Sequence, residues 1–141
     1  MRRFVDTSVM LGAFFEDNPY HEACLVLLGS LSHTHDAFGA HSLAEVYSTL
    51  TRMPPAKRVH PDQAGIFLQH LLLRMQTVAL TAEEYAREIK IAVENRVVGG
   101  QVYDALLLAC ARKHAADRIY TLNLKHFLKL APDLADRITT P

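Results

Sequence analysis

The chain predicts an α/β fold, a three-layer α/β/α sandwich around a mainly parallel sheet of four to five strands. Three observations carry this expectation. Short apolar strand candidates alternate with helical stripes, the pattern of crossover units in a parallel sheet. The chain has 141 residues, enough for one domain that buries most of its apolar surface. No repeat, low-complexity tract or linker interrupts it, so residues 1–141 read as a single domain.

Taken in order, Phe4 and Val5 end a first buried strand, and an apolar helical run follows from Thr7 to Phe15. Asp17-Asn18-Pro19 is a turn whose proline suits the start of the next helix, where Ala23, Val26 and Leu27 form a stripe. Ala37 to Ala40 is a second, weak strand. Ser42 is read as the cap of a helix carrying Leu43, Val46, Tyr47 and Leu50 at i, i+3, i+4 and i+7. Met53-Pro54-Pro55 stops that helix, and a basic loop with Lys57 and Arg58 follows. Asp62 to Arg74 is helical, with Ile66, Phe67, Leu71 and Leu72 on one face.

Val78-Ala79-Leu80 is a strand. Thr81 and Glu84 form a capping box for a helix to about Asn95. Gly99-Gly100-Gln101 is a loop before the strongly apolar helix from Tyr103 to His114. Arg118 to Leu122 is a strand, Asn123 opens a short helix to Leu130, and Arg137 to Thr139 is an edge strand.

Composition excludes several classes. Lys+Arg and Asp+Glu are both 15, so the chain has no general basic coat for nucleic acid. A nucleic-acid substrate would need local positive charge or a cation at a local acidic cluster. Cys24 and Cys110 lie in apolar helical runs and read as reduced core residues, not as a disulfide scaffold. There is no secretory signal pattern and no apolar run long enough to span a bilayer, so the expected location is cytoplasmic, with no membrane partner. The histidines show no zinc-ligand spacing, and there is no phosphate-binding P-loop.

Three acids stand out, and each has a plain explanation. Asp6 can cap the first helix. Glu45 can close a capping box with Ser42. Asp104 lies in the first turn of its helix, where the dipole favours negative charge. Their placement together suggests more. Asp6 directly follows a strand, Glu45 follows the next strand by a few residues, and the glycine loop could bring Asp104 to the same sheet edge. That edge is where open parallel sheets place ligands. Carboxylates brought together repel and raise one another's pKa unless a cation sits among them. Oxygen ligands favour a hard cation such as Mg²⁺.

Four segments, in order, then resemble one family. Val5-Asp6-Thr7-Ser8, Ala44-Glu45-Val46-Tyr47, Tyr103-Asp104-Ala105-Leu106-Leu107-Leu108-Ala109 and Thr121-Leu122-Asn123-Leu124-Lys125-His126-Phe127 resemble the PIN domain, with VapC-type toxins of toxin–antitoxin pairs the nearest likeness. The resemblance implies a metal-dependent endoribonuclease using Mg²⁺ or Mn²⁺, with Asp6, Glu45 and Asp104 at the catalytic and metal-binding positions. It also implies an RNA substrate, an antitoxin protein and a homodimer. Ser8 falls at the family's small polar position, as support for the first acid. Asn123 falls where a fourth acid is common, leaving three formal negative charges and placing a second metal in doubt.

Arg96, Lys125 and the Lys57-Arg58 loop are candidate RNA-phosphate contacts, against an ordinary role as solvated charges. His126 reads as structural. Asp117 precedes its strand and belongs at the opposite end of the sheet. The rival reading is a catalytically silent PIN-like module that grips a partner protein, supported by the neutral Asn123. A phosphotransfer enzyme with Asp6 as nucleophile would want a second Asp where Ser8 stands.

Overall fold

Every strand in the chain runs parallel to its neighbours. The computed structural model describes residues Met1–Pro141. Its strands are β1 (Arg3–Val5), β2 (Ala37–Gly39), β3 (Gln76–Val78), β4 (Arg118–Tyr120) and β5 (Ile138–Thr139), in the sheet order β3-β2-β1-β4-β5. The helices are α1 (Thr7–Phe14), α2 (His21–Ser30), α3 (His41–Arg52), α4 (Pro61–Arg74), α5 (Ala82–Glu94), α6 (Gln101–Lys113) and α7 (Leu124–Leu130). A short 3₁₀ turn covers Pro132–Leu134. Phe4 pairs with Ala37 on one side and with Ile119 on the other, so β1 lies at the centre.

Side-chain alternation along β1 divides the core into the two faces of a sandwich. Val5 joins Val9, Met10, Phe38, Val46 and Leu50 on the side of α1 to α4. Phe4 joins Leu107, Leu108, Ile119 and Phe127 on the side of α6 and α7. Both cysteines are buried and unpaired by disulfide, as the apolar runs around them predict. No helix is long and apolar enough to cross a membrane.

Gly39 determines how closely α6 approaches the sheet. A Cβ there would lie 2.6 Å from a Leu107 methyl carbon and 3.5 Å from Cys110 Sγ. With hydrogen instead, α6 packs directly on β2. That close seat carries the first turn of α6, and Asp104 with it, toward the end of the sheet.

Four local expectations need correction, the first being the third strand, which runs Gln76–Val78 and not Val78–Leu80. Ser42 does not cap α3: the helix starts at His41 after Ala40, and Ser42 is buried inside the first turn. In α4 the stripe is displaced. Ala64 and Leu71 are buried, whereas Ile66 and Leu72 are 61% and 41% exposed. In α2, Cys24 and Leu27 face the core and Val26 is exposed. Helices apolar on several sides do not reveal from spacing alone which side meets the sheet. The Thr81–Glu84 capping box is present as expected, with both reciprocal bonds made.

Candidate active site at the carboxyl edge of the sheet

Because the sheet is parallel, the segments after β1, β2 and β4 all leave from the same edge. Asp6 follows β1 at once. Its amide donates to the Tyr120 carbonyl at 2.9 Å, and its carbonyl accepts from Val9 at 3.1 Å. The carboxylate makes no capping hydrogen bond to α1, although Asp6 occupies the N-cap position. Instead its Oδ2 takes two hydroxyl donors, Ser8 Oγ at 2.6 Å and Thr121 Oγ1 at 2.8 Å. Both hydroxyls are themselves held in place. Ser8 Oγ accepts from the Leu122 amide at 2.9 Å, and Thr121 Oγ1 accepts from the Asn123 amide at 2.9 Å.

The residue is 1% exposed, yet Oδ1 accepts no side-chain or capping hydrogen bond and is not sealed as a buried orphan. Burial pushes the Asp6 carboxyl above the ordinary range. The Ser8 and Thr121 hydroxyls and the nearby Thr7 and Ser8 amides offset part of that rise.

Glu45 comes from the second turn of α3. Its Oε1 accepts from Thr7 Oγ1 at 3.3 Å, and Thr7 Oγ1 meets Ser42 Oγ at 2.8 Å. The pairing expected between Ser42 and Glu45 is therefore replaced by a tie between α1 and α3. Burial first, then the charges of Asp6 and Asp104, push the Glu45 carboxyl up to about 7. Asp104, in the first turn of α6, is pushed up to about 6 by burial and then by Asp6, with His126 opposing.

The three acids thus sense one another from three elements. His41 Nε2 lies 3.9 Å from Glu45 Oε1, and no Lys or Arg forms an ion pair with any of the three. The donor set is all oxygen and carries net negative charge, which suits a hard divalent cation. The side chains are not already closed as ligands: no three His, Cys, Asp or Glu stand in coordinating arrangement.

The other predicted residues separate. Ser8 is directly on Asp6. The Asn123 side chain is exposed and makes no hydrogen bond; its backbone amide, through Thr121, is what reaches the site. Arg96 lies just past α5 in a cleft beside α6, and Lys125 is exposed on α7 outside that cleft. Asp117 accepts from the Arg2 amide at 2.8 Å, at the opposite edge as expected. His126 is not a core residue: it is exposed and near enough to Asp104 to affect its charge. Thr121 is the residue that sequence reading passed over. A lone Thr at the end of a strand carries no spacing signal.

With this geometry in view, residues 3–131 match the model of the PIN domain family. The chain belongs to the PIN domain family. Ribonuclease VapC27 of Mycobacterium tuberculosis is 32% identical over 114 residues, covering 80% of this chain and 79% of that protein. Among solved structures, the M. tuberculosis toxin VapC20, described as cleaving the sarcin–ricin loop, superposes with a TM-score of 0.71. It shares 19% identity and covers 88% of this chain and 92% of that one. VapBC2 of Rickettsia felis, solved bound to promoter DNA, gives a TM-score of 0.64 at 18% identity, covering 99% of this chain and 98% of that one. The structural likenesses establish the PIN fold of this chain.

Proposed function

We propose that this chain is a VapC-type endoribonuclease that hydrolyses RNA phosphodiester bonds at the pocket of Asp6, Glu45 and Asp104. The observation that carries the reading is that carboxylates from three separate elements lie close enough to act on one another's charge, with no Lys or Arg paired to any of them. Capping does not account for Asp6 or Glu45, which make no capping bond. The ribonuclease relative supports the same reaction.

Mg²⁺ or Mn²⁺ is the cation this donor set favours, held by Asp6, Glu45 and Asp104. When bound, such an ion polarises a phosphate oxygen and makes a water more acidic. The chain's own groups supply orientation and proton transfer. Ser8 and Thr121 fix Asp6 Oδ2, and Oδ1 takes no side-chain hydrogen bond. Of the three acids, Glu45 is the proposed acceptor of a proton from the attacking water. Thr7 orients it. Asn123 supports the site through its backbone amide, and Arg96 and Lys125 are proposed as RNA contacts. Unpaired nucleotides, which can splay into a pocket, are the expected substrate.

An antitoxin protein is the proposed partner. The apolar groove of Phe14, Leu28, Ile66, Phe67 and Leu71, between α1–α2 and α4, is its proposed seat. A homodimer is proposed as well; exposed Tyr85, Ile89 and Val93 along α5 offer a face for it.

The purified chain with Mn²⁺ should cut single-stranded RNA and stop when the metal is chelated. Asp104→Asn should abolish the cut. Equal cleavage by Asp104→Asn and the unaltered chain would overturn the site assignment. Absence of Mn²⁺ binding at neutral pH would favour the silent protein-binding module.

A further inference from the structure

Next to the acidic pocket, the surface charge changes sign. A cleft of about 630 Å³ lies between α5, α6 and α7, and Arg96, Arg112, His126 and Lys129 line it. Arg112 is engaged, with its guanidinium 2.8 Å from Asp133. Arg96 and Lys129 make neither an ion pair nor a side-chain hydrogen bond, and Glu88 is the one acid on the lining outside the Arg112 pair. The inner end of the cleft adjoins the pocket. Gln101 and Ala105 line it from α6 on either side of Asp104, and His126 lines it while acting on the Asp104 charge.

Arg96 is held there against its backbone preference. Helix α5 ends in a Schellman motif: Val97 N donates to Ala92 O at 2.9 Å and Arg96 N to Val93 O at 3.2 Å. The residue between is Arg96 at φ 55°, the left-handed position where glycine is usual. An arginine here places a cation at the cleft mouth despite conformational strain.

An RNA strand whose scissile phosphate meets the carboxylates must also place its neighbouring phosphates. The acidic pocket repels them, and the adjoining cleft offers unpaired cations. We propose that this cleft seats the backbone phosphates flanking the cut bond, with Arg96 and Lys129 as their ion partners and His126 as the donor nearest Asp104. The assignment rests on the nuclease reading above.

The test is fluorescence anisotropy of a short single-stranded RNA on the full chain in EDTA, so that binding is read apart from cleavage. The variant is Arg96→Gly with Lys129→Ala; glycine suits the left-handed backbone, so the fold is retained. Each lost phosphate contact should reduce the slope of log affinity against log salt by about 0.7, or about 1.4 for the pair. The variant should therefore lose about sevenfold less affinity than the unaltered chain between about 50 and 200 mM salt. Arg52→Ala with Arg74→Ala removes the same charge outside the cleft and should leave the slope unchanged.

Equal slopes for the cleft variant and the unaltered chain would overturn the proposal, as would an equal loss in both pairs. Unchanged RNA binding with weakened binding of a poly-glutamate peptide would assign the cleft to an acidic protein segment instead. Cleavage assays on the same samples judge the nuclease reading separately: an unaltered chain that binds RNA with the full slope but never cuts it defeats that reading alone.

Discussion

Two buried aspartates occupy opposite ends of neighbouring strands, and only one is neutralised. Asp36 immediately precedes β2 and is fully buried. Arg3 clamps it, with Nε 3.0 Å from Oδ1 and a terminal nitrogen 2.7 Å from Oδ2, and the Ser32 amide adds a bond at 2.8 Å. Burial alone would raise its pKa, but the Arg3 and Ser32 bonds outweigh burial and hold it below the ordinary range. Asp6 immediately follows β1, is equally buried, and has only neutral donors. Its pKa is raised. Buried charges are normally paired or coordinate metals. Asp36 is neutralised by a cationic side chain of the chain itself, whereas Asp6 meets only neutral donors. That difference marks Asp36 as structural and supports the role proposed for Asp6, where burial and strand position do not distinguish the two.

The largest expected effect is on activity. Asp6→Asn should reduce Mn²⁺-dependent RNA cleavage by roughly a thousandfold, since a cation's stabilisation of a phosphoryl transition state is worth several kcal/mol. The metal-free protein should stay folded, because a buried carboxylate without a cation is exchanged for a neutral amide. Single-turnover cleavage and a urea melt read the two outcomes. A large loss of stability in Asp6→Asn would break the contrast.

The reverse is expected of Asp36→Asn. It leaves the Arg3 guanidinium without its carboxylate in a partly buried setting, and breaking such a pair costs about 3 kcal/mol. A urea melt should show that loss, while cleavage per folded molecule should stay near that of the unaltered chain.

The next effect separates the two aspartates by pH. Glu45 and Asp104 are pushed up to about 7 and about 6, so the folded state holds their protons more tightly than the unfolded chain does. Their contribution to metal-free stability is therefore full below the unfolded pKa and declines as pH rises toward 7. Asp36 behaves oppositely: its depressed pKa gives stability above the unfolded value that is lost only as pH falls below it. Metal must displace the pocket protons, so Mn²⁺ affinity should fall about twentyfold from pH 8 to pH 6. Calorimetric titration at the two pH values checks this. A pH-independent affinity would place the ion away from Glu45 and Asp104.

Much of this contrast can be read from the sequence, for specific reasons. Asp6 after Val5, and Asp104 at the head of an apolar helix, are placed by strand ends and helical period, which are local. The alternation of elements gives the parallel sheet. Glu45 is legible as an acid but not in its partner: spacing suggests Ser42, and the fold supplies Thr7 from α1. The stripes of α2 and α4 are misread because several sides of each helix are apolar, and only packing selects the buried one. Arg3 and Asp36 are 33 residues apart, and no local pattern links them. His126 and Thr121 act through neighbours that only the tertiary fold provides.

Thr121 gives the smallest and sharpest test. Its hydroxyl donates to Asp6 Oδ2 and accepts from the Asn123 amide, so it joins the start of α7 to the acidic pocket. Thr121→Val keeps the shape and removes both bonds. The Asn123 N–H loses its acceptor, and Asp6 loses one of its hydroxyl donors. An unsatisfied buried group costs about 1–3 kcal/mol, so a destabilisation of about 1.5 kcal/mol is expected in a urea melt. Its pH dependence carries the information. The hydroxyl favours the charged carboxylate, so the loss should grow as pH rises and Asp6 ionises. Ser8→Ala, which strips the other donor from the same oxygen, should follow the same curve. A loss that does not change with pH would mean that Thr121 serves α7 alone, and that Asp6 is held charged by something other than its hydroxyls.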